Sequence, residues 1–441
     1  MESIVPSNSV PLLRRVRSLT RRDSRQTGGL LRLAVSVLAV GQLTSFLCAE
    51  DVSHRSGSLG TADVRVTVTG HDFNRPDPFP GLGRFSWPGN VARMPDGELL
   101  LVHSAGYYHV SFAQPRLIEP TTRKRWLESG WPLDFDAPTG GRSMLVRSRD
   151  GGKSWSKPTT IVDLPWDDAP YGLLRCSDGT LLCFVNVQAS WYGYSKAPEP
   201  FASQLNGLNT RQCVLRSTDA GRTWSAPVWL QSPGDFYQRS HAQPLLLPGG
   251  RILWPTYCKS RSEDRLFGAI HASDDNGKSW RLVSTLRRTG SDSDTASSTS
   301  GNIDEPALAL LTDGRLFLIS RPDGAWFTSD DEGLTWQFQG RLVTSGKFKA
   351  PRVFVLKDGT IVCVCTWRNL QVFIGKNAGT SWVGPLDLDA SSYGYPGGYL
   401  LEDETMLVSY CSSGKAPNRI HLVRFRVDRD RSGIELLPVA D

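Results

Sequence analysis

The chain has 441 residues, with 42 glycines, 28 prolines, 14 tryptophans and a formal net charge of +6 at neutral pH. That length exceeds one compact domain of ordinary size, so it means either two domains or one large body built from repeats. Short runs of Val, Leu, Phe and Trp cut by Asp-Gly and Pro-Gly turns, without long helical periodicity, exclude a helical bundle and read as all-β.

Residues 1–49 come first in chain order and distort the charge balance. They carry arginines at 14, 15, 17, 21, 22, 25 and 32 against Glu2 and Asp23, followed by the apolar run LAVSVLAVGQLTSFLCA, which ends on the small residue Ala49. Positive residues, a short apolar stretch and a small residue are expected to act as an export signal, which makes the protein secreted or periplasmic, with no stable membrane insertion after cleavage. With its seven arginines and two acids set aside, the 50 basic and 44 acidic side chains of the whole chain become 43 and 42. A nearly neutral remainder excludes nucleic acid as the expected partner, leaving TTRKRW at Thr121 as a local basic loop. Residues 50–61 read as a short flexible segment and 62–441 as the folded body.

Seven cysteines follow Cys48, without a CxxC pair and without paired histidines at ligand spacing. No disulfide framework, metal site or cofactor is expected. Cys363 and Cys365, two apart in IVCVCTW, are expected on one face of a strand, packing as small apolar groups.

Two repeats run through the body. Turn-then-strand units occur at Asp96 (PDGELLLVHS), Asp178 (SDGTLLCFVN), Gly249 (PGGRILWPTY), Asp313 (TDGRLFLISR), Asp358 (KDGTIVCVCT) and Asp403 (EDETMLVSYC). After each of the first five comes a second motif: SRDGGKSW from Ser148, STDAGRTW from Ser217, SDDNGKSW from Ser273, SDDEGLTW from Ser329 and the degraded GKNAGTSW from Gly375. In this second motif the Asp can accept hydrogen bonds from its own turn, the Gly allows a positive φ, and the Trp returns as an apolar plug. Four strands fit each unit, and six units closing in a ring give a six-bladed β-propeller of four-stranded antiparallel blades.

The pattern S/TxDxGxT/SW resembles the Asp box of the sialidase (neuraminidase) superfamily, and the resemblance runs from about residue 62 to the C-terminus. It implies a sialidase-like propeller whose first strands line a central channel. Counting eight residues back from each turn gives Pro88, Pro170, His241, Glu305, Ala350 and Tyr395; eight forward gives Ser104, Asn186, Tyr257, Arg321, Thr366 and Cys411. His241 and Tyr257 thereby become candidate substrate contacts at the channel mouth.

By position in NIDEPALALLTDGRLFLISR, Glu305 and Arg321 resemble the family's tyrosine-polarising glutamate and one of its carboxylate-gripping arginines. Tyr395 in SSYGYPGG resembles its nucleophile, with Tyr393 in reserve, and Arg368 in CTWRNLQ matches the third-arginine position. The acid is expected in the long first-blade loop, where WPLDFDAP offers Asp136 and Asp134. A phenol is the apt nucleophile beside a sugar carboxylate, which would repel a carboxylate nucleophile, and guanidinium groups bind that carboxylate at fixed geometry. Ser86 stands where the family's first arginine is expected, with Arg84 and Arg75 the nearest guanidinium groups. The implied function is an exo-acting, retaining glycoside hydrolase on sialylated or other acidic glycans, working as a monomer on a glycan or glycoconjugate. The change at Ser86 leaves a second reading: a propeller without catalysis that binds glycans or a protein.

Overall fold

The computed structural model describes residues 60–70, 84–86, 89–106, 142–162, 164, 166–191, 207–208, 210–288, 301–343, 348–390, 395–411 and 419–440, all within the compact unit Ala49–Asp441. Among the described residues, helix is confined to the single turn Thr61–Val64 and a 3-10 turn at Asn377–Gly379. No described helix is long and apolar enough to cross a membrane.

The described strands fall into five sheets, and none of these closes on itself. Two sheets are four-stranded meanders, Asp304–Leu310 through Gln337–Arg341 and Lys349–Val355 through Ser381–Asp389. One sheet runs from Arg84–Ser86 and Val91–Arg93 across Leu99–Gly106 and Arg142–Ser148 to Thr159–Val162. The nine-stranded sheet joins two such groups, Trp166–Arg175 to Val228–Trp229 and Leu245–Leu246 to Arg281–Leu286, through the short strand Tyr237–Arg239. That strand pairs parallel to Thr210 through Tyr237 and antiparallel to Tyr257 through Arg239. In the remaining sheet, Gly397–Leu400, Met406–Cys411 and Arg419–Val427 are completed by both ends of the body, because Val66–Gly70 and Ile434–Leu437 each pair with part of Arg419–Val427.

Alternation puts a core on both sides of each group. In Leu316–Arg321, Phe317 and Ile319 pack toward Cys363 and Phe373, while Leu316 and Leu318 pack toward Leu253 and Ile270. In the next group, Ile361, Cys363 and Cys365 share one face and Val362 and Val364 the other, as the spacing of the two cysteines predicts. The seven described cysteines are all buried. Similar clusters join the first group to the second (Leu145 with Cys183), the second to the third (Phe184 with Trp254), the fifth to the sixth (Val362 with Met406) and the sixth to the first (Leu422 with Leu99).

Both repeats are turns. At Asp313 the carboxylate accepts the Arg315 N–H at 3.0 Å and Gly314 takes a φ of 87°; Asp96, Asp178, Asp358 and Asp403 make the same bond to the residue two ahead. In the second motif Asp331 accepts the Thr335 N–H and hydroxyl at 2.9 and 2.6 Å, and the Trp336 indole N–H donates to the Gly333 carbonyl at 3.1 Å. Asp150, Asp219 and Asp275 repeat the carboxylate bonds. The degraded copy lacks the Asp but keeps the indole bond, Trp382 to Gly379 at 2.7 Å.

Candidate functional site

An open cleft of about 500 Å3 lies over the starts of three strand groups. Tyr237, Arg239, His241, Tyr257, Asp304, Glu305, Arg321 and Tyr395 all line it, with Lys259 and Asp264 at its margin. Of the residues expected from sequence, it brings together Tyr395, Glu305, Arg321, His241 and Tyr257. Arg368 is exposed and does not line the cleft; its guanidinium lies 5.1 Å over the Trp367 ring. Asp136, Asp134 and Tyr393 fall outside the described residues, and of Ser86 only the backbone is described, paired with Ser104.

A repeated backbone device builds the site. Glu305, Ala350 and Tyr395 occupy equivalent places at the heads of three successive groups, each precedes a proline, and all three adopt left-handed φ values of 49°, 46° and 49°. The strand register shifts just there, between Asp304 and Ala307 and between Lys349 and Arg352. A bulge of this kind breaks the alternation that would send neighbouring side chains to opposite faces. Asp304 and Glu305 consequently both reach the cleft.

Glu305 is buried and held at both oxygens. Arg321 Nη1 donates to Oε1 at 3.0 Å, the Ala350 N–H donates to Oε2 at 2.7 Å, and His241 Nε2 lies 3.7 Å from Oε1. His241 also meets Tyr395, with ring centroids 5.1 Å apart, and stacks on Tyr257 at 6.0 Å. The Tyr395 N–H donates to Thr366 Oγ1 at 3.2 Å, and its ring packs on Ala169 from the second group. Five separate stretches of chain therefore converge on one phenol and one carboxylate.

The cations are differently balanced. Burial works against the charge of Arg321, but the carboxylates of Glu305 and Asp304 more than offset it and hold its pKa above the ordinary value. Arg239 is only 5% exposed, and its Nη1 donates to the Tyr237 hydroxyl at 3.4 Å. Burial, followed by the neighbouring Tyr237, pushes the Tyr257 phenol well above its usual range, so it stays neutral. Asp304, whose Oδ2 lies 3.5 Å from Arg321 Nε, is raised to about 7 by burial and then by the charge of Glu305. Among the described residues no group of three His, Cys, Asp or Glu is arranged to hold a metal ion.

Arg239 and Asp304 are the site residues that counting misses. Arg239 belongs to the inserted strand Tyr237–Arg239, which sits outside the four-strand count and left no repeat signal. Asp304 is the neighbouring acid in NIDEP, and in a regular strand its side chain and that of Glu305 would point to opposite faces.

With this geometry in hand, similarity to known proteins becomes informative. A sialidase of Bacteroides fragilis is 28% identical over 166 residues, which take in 32% of this chain and 29% of that protein's length. A crystal structure of a protein of unknown function from Dyadobacter fermentans superposes with a TM-score of 0.60 at 17% identity, over 85% of this chain and 98% of that one. A Hadza microbial sialidase superposes with a TM-score of 0.55 at 16% identity, over 81% and 66% of the two chains. At these identities the two structures speak for the fold alone. The sequence profile of the BNR repeat-like domain matches residues 173–408, over half of the sequence, and the chain belongs to that family, within the sialidase superfamily.

Proposed function

We propose that the protein is an exported, exo-acting, retaining glycoside hydrolase for sialylated or other carboxylate-bearing glycans. Its six strand groups act as the blades of a propeller, with the cleft over the channel mouth. The packing of each group on the next, and of the sixth on the first, supports the ring. One observation carries the chemical reading: Tyr395, the doubly held carboxylate of Glu305 and two guanidinium groups line the same cleft.

In this reading the Tyr395 oxygen bonds to the anomeric carbon as its proton passes to Glu305. The bond from that carbon to the leaving oxygen breaks as Asp136, the acid expected from sequence, protonates that oxygen. Water then displaces tyrosine from the covalent glycosyl-tyrosine, giving one proton back to Asp136 while Tyr395 recovers its own from Glu305, with retention of configuration. Arg321 keeps N–H donors beyond the one spent on Glu305, and Arg239 supplies a second guanidinium from the inserted strand; together they bind the sugar carboxylate. Arg239 takes the part that sequence position assigned to Arg368. Tyr257 and His241 offer ring faces to the sugar. The residue change at Ser86 favours a binding protein less than this assembled cleft favours catalysis.

The test is a fluorogenic panel of sialosides, uronides and neutral glycosides with wild-type protein and Tyr395→Phe. Turnover of a carboxylate-bearing glycoside is expected, with kcat in the variant lower by about 10^3-fold or more. Undiminished turnover in Tyr395→Phe, or glycan binding by both proteins with no turnover, contradicts the proposal.

A further inference from the structure

The inserted strand Tyr237–Arg239 and the strand it pairs with, Ile252–Lys259, together make one wall of the cleft. Gly234 lets the inserted chain dock, because a β-carbon there would stand 2.7 Å from the Lys259 carbonyl oxygen, too close for any side chain. Two residues on, the Phe236 N–H donates to that same carbonyl at 3.2 Å. Antiparallel register then sets Tyr237 opposite Lys259 and Arg239 opposite Tyr257. Alternation sends Gln238 and Cys258 to the other face, where both are buried, and leaves two phenols, a guanidinium and an ammonium lining the cleft. The loop ahead of the strand is pinned: the Arg261 N–H donates to Asp235 Oδ1 at 2.7 Å, and its guanidinium donates to the carbonyls of Asp235 and Gly207.

All four polar groups on this wall can donate. The two hydroxyl oxygens lie 3.5 Å apart, and Arg239 Nη1 donates to that of Tyr237 at 3.4 Å. At most one of the two hydroxyl protons is spent between the rings, so at least one can turn to a ligand. Lys259 stands diagonally from Arg239, roughly 7 Å away across the strand pair. Its ammonium makes no hydrogen bond or ion pair among the described residues, and Asp264, at the same end of the cleft, makes none with it. Two cations on one face of a strand pair repel each other until something negative lies between them. A wall of donors that carries two positive charges suits an oxyanion. Phe236, 37% exposed and beside Lys259, offers a ring face to the sugar that bears it.

We propose that Lys259, Tyr237 and Tyr257, with Arg239 at the corner, form a second oxyanion site, which selects glycans carrying another acidic group besides the carboxylate bound by Arg321 and Arg239. The inference rests on the hydrolase reading above and narrows its substrate class. Glu305 is engaged by Arg321 and the Ala350 amide, so it does not occupy Lys259. The five N–H donors of Arg239 let it serve both acidic groups, while Lys259 belongs to the second alone. That second group is a sulfate ester or a further carboxylate. Each brings several acceptor oxygens and a full negative charge, and an ammonium, a point charge with three rotating donors, accepts either.

The test is a binding comparison in Tyr395→Phe protein, which is expected to hold glycans without turning them over. Sialylated and uronic-acid glycans are arrayed, each beside forms that bear one sulfate ester or one further carboxylate at each open position, and the best pair is measured by titration calorimetry. For at least one pair the doubly acidic form is expected to bind about 10-fold or more tightly, and whether that pair is a sulfate or a carboxylate pair identifies the group. The ratio is expected to fall to about 1 when Lys259→Met is added and to persist with Lys259→Arg. Absence of the advantage in every pair, or an advantage that Lys259→Met keeps, overturns the second site. Turnover of singly acidic glycosides by wild-type protein without that advantage overturns the second site and leaves the hydrolase reading. The advantage, lost with Lys259→Met, but no turnover of any glycoside supports the site and contradicts the hydrolase reading.

Discussion

Glu305 accepts a left-handed backbone that costs a residue with a side chain about 1–2 kcal/mol, and the return is a carboxylate bonded to Arg321 and to the Ala350 amide. Glu305→Gln keeps the shape and removes the charge, leaving Arg321 partly uncompensated. It is expected to lower kcat by about 10^2-fold or more and stability by about 1–3 kcal/mol, read by kinetics and urea denaturation. Titration of the fold is set by residues elsewhere. His103, His271 and His421 are buried, and burial lowers each to about 4. The unfolded chain protonates histidine near pH ~6.5, so as pH falls from about 6.5 toward about 4 it gains protons that the native state refuses, and stability is lost. Asp304, raised to about 7, acts in the opposite sense between pH ~4 and ~7, since there the native state holds the extra proton. Three histidines outweigh one aspartate. The urea midpoint is expected to fall across that window, with a shallower fall in His271→Gln.

At the scale of the element, the turn motifs lock each group by the same bonds. Asp331→Ala removes the acceptor for the Thr335 amide and hydroxyl and for Ser329 Oγ, and is expected to lower the midpoint of urea denaturation. The position before the motif glycine is left-handed in every intact copy: Gly151 at 70°, Ala220 at 60°, Asn276 at 56° and Glu332 at 55°. Ala220→Gly therefore relieves strain and is expected to raise stability by up to about 1 kcal/mol, whereas a loss would show that the turn gains more from its methyl group. These turns were legible because each needs particular residues at fixed offsets. The pairing of Glu305 with Arg321 was legible for a related reason: both lie eight residues from a tight turn, so a hairpin brings them level. Arg239 and the inward turn of Asp304 were not, since one depends on a strand inserted between groups and the other on a bulge, and neither has a fixed residue signature.

For the whole molecule, the repeats announced six groups but not how the last is completed. Its outer edge is shared by Val66–Gly70, pairing with Arg419 to Leu422, and Ile434–Leu437, pairing with Arg424 to Val427. The early strand carries no turn motif, so only its packing reveals its place. Val68, 6% exposed, lies in the same cluster as Leu99 and Leu422. Val68→Asp buries an unpaired charge at this junction and is expected to cost about 3 kcal/mol or more, seen as a lower urea midpoint. The purpose assigned to this architecture is to bring one tyrosine from the last group over a glutamate from the fourth. The most direct test is covalent: incubate the protein with a fluorinated, carboxylate-bearing glycosyl fluoride, which slows release of a glycosyl-enzyme, then map the modified peptide by mass spectrometry. The expected result is a single sugar adduct on Tyr395 that Tyr395→Phe does not form; turnover of glycosides with no adduct, or an adduct on another residue, would contradict it.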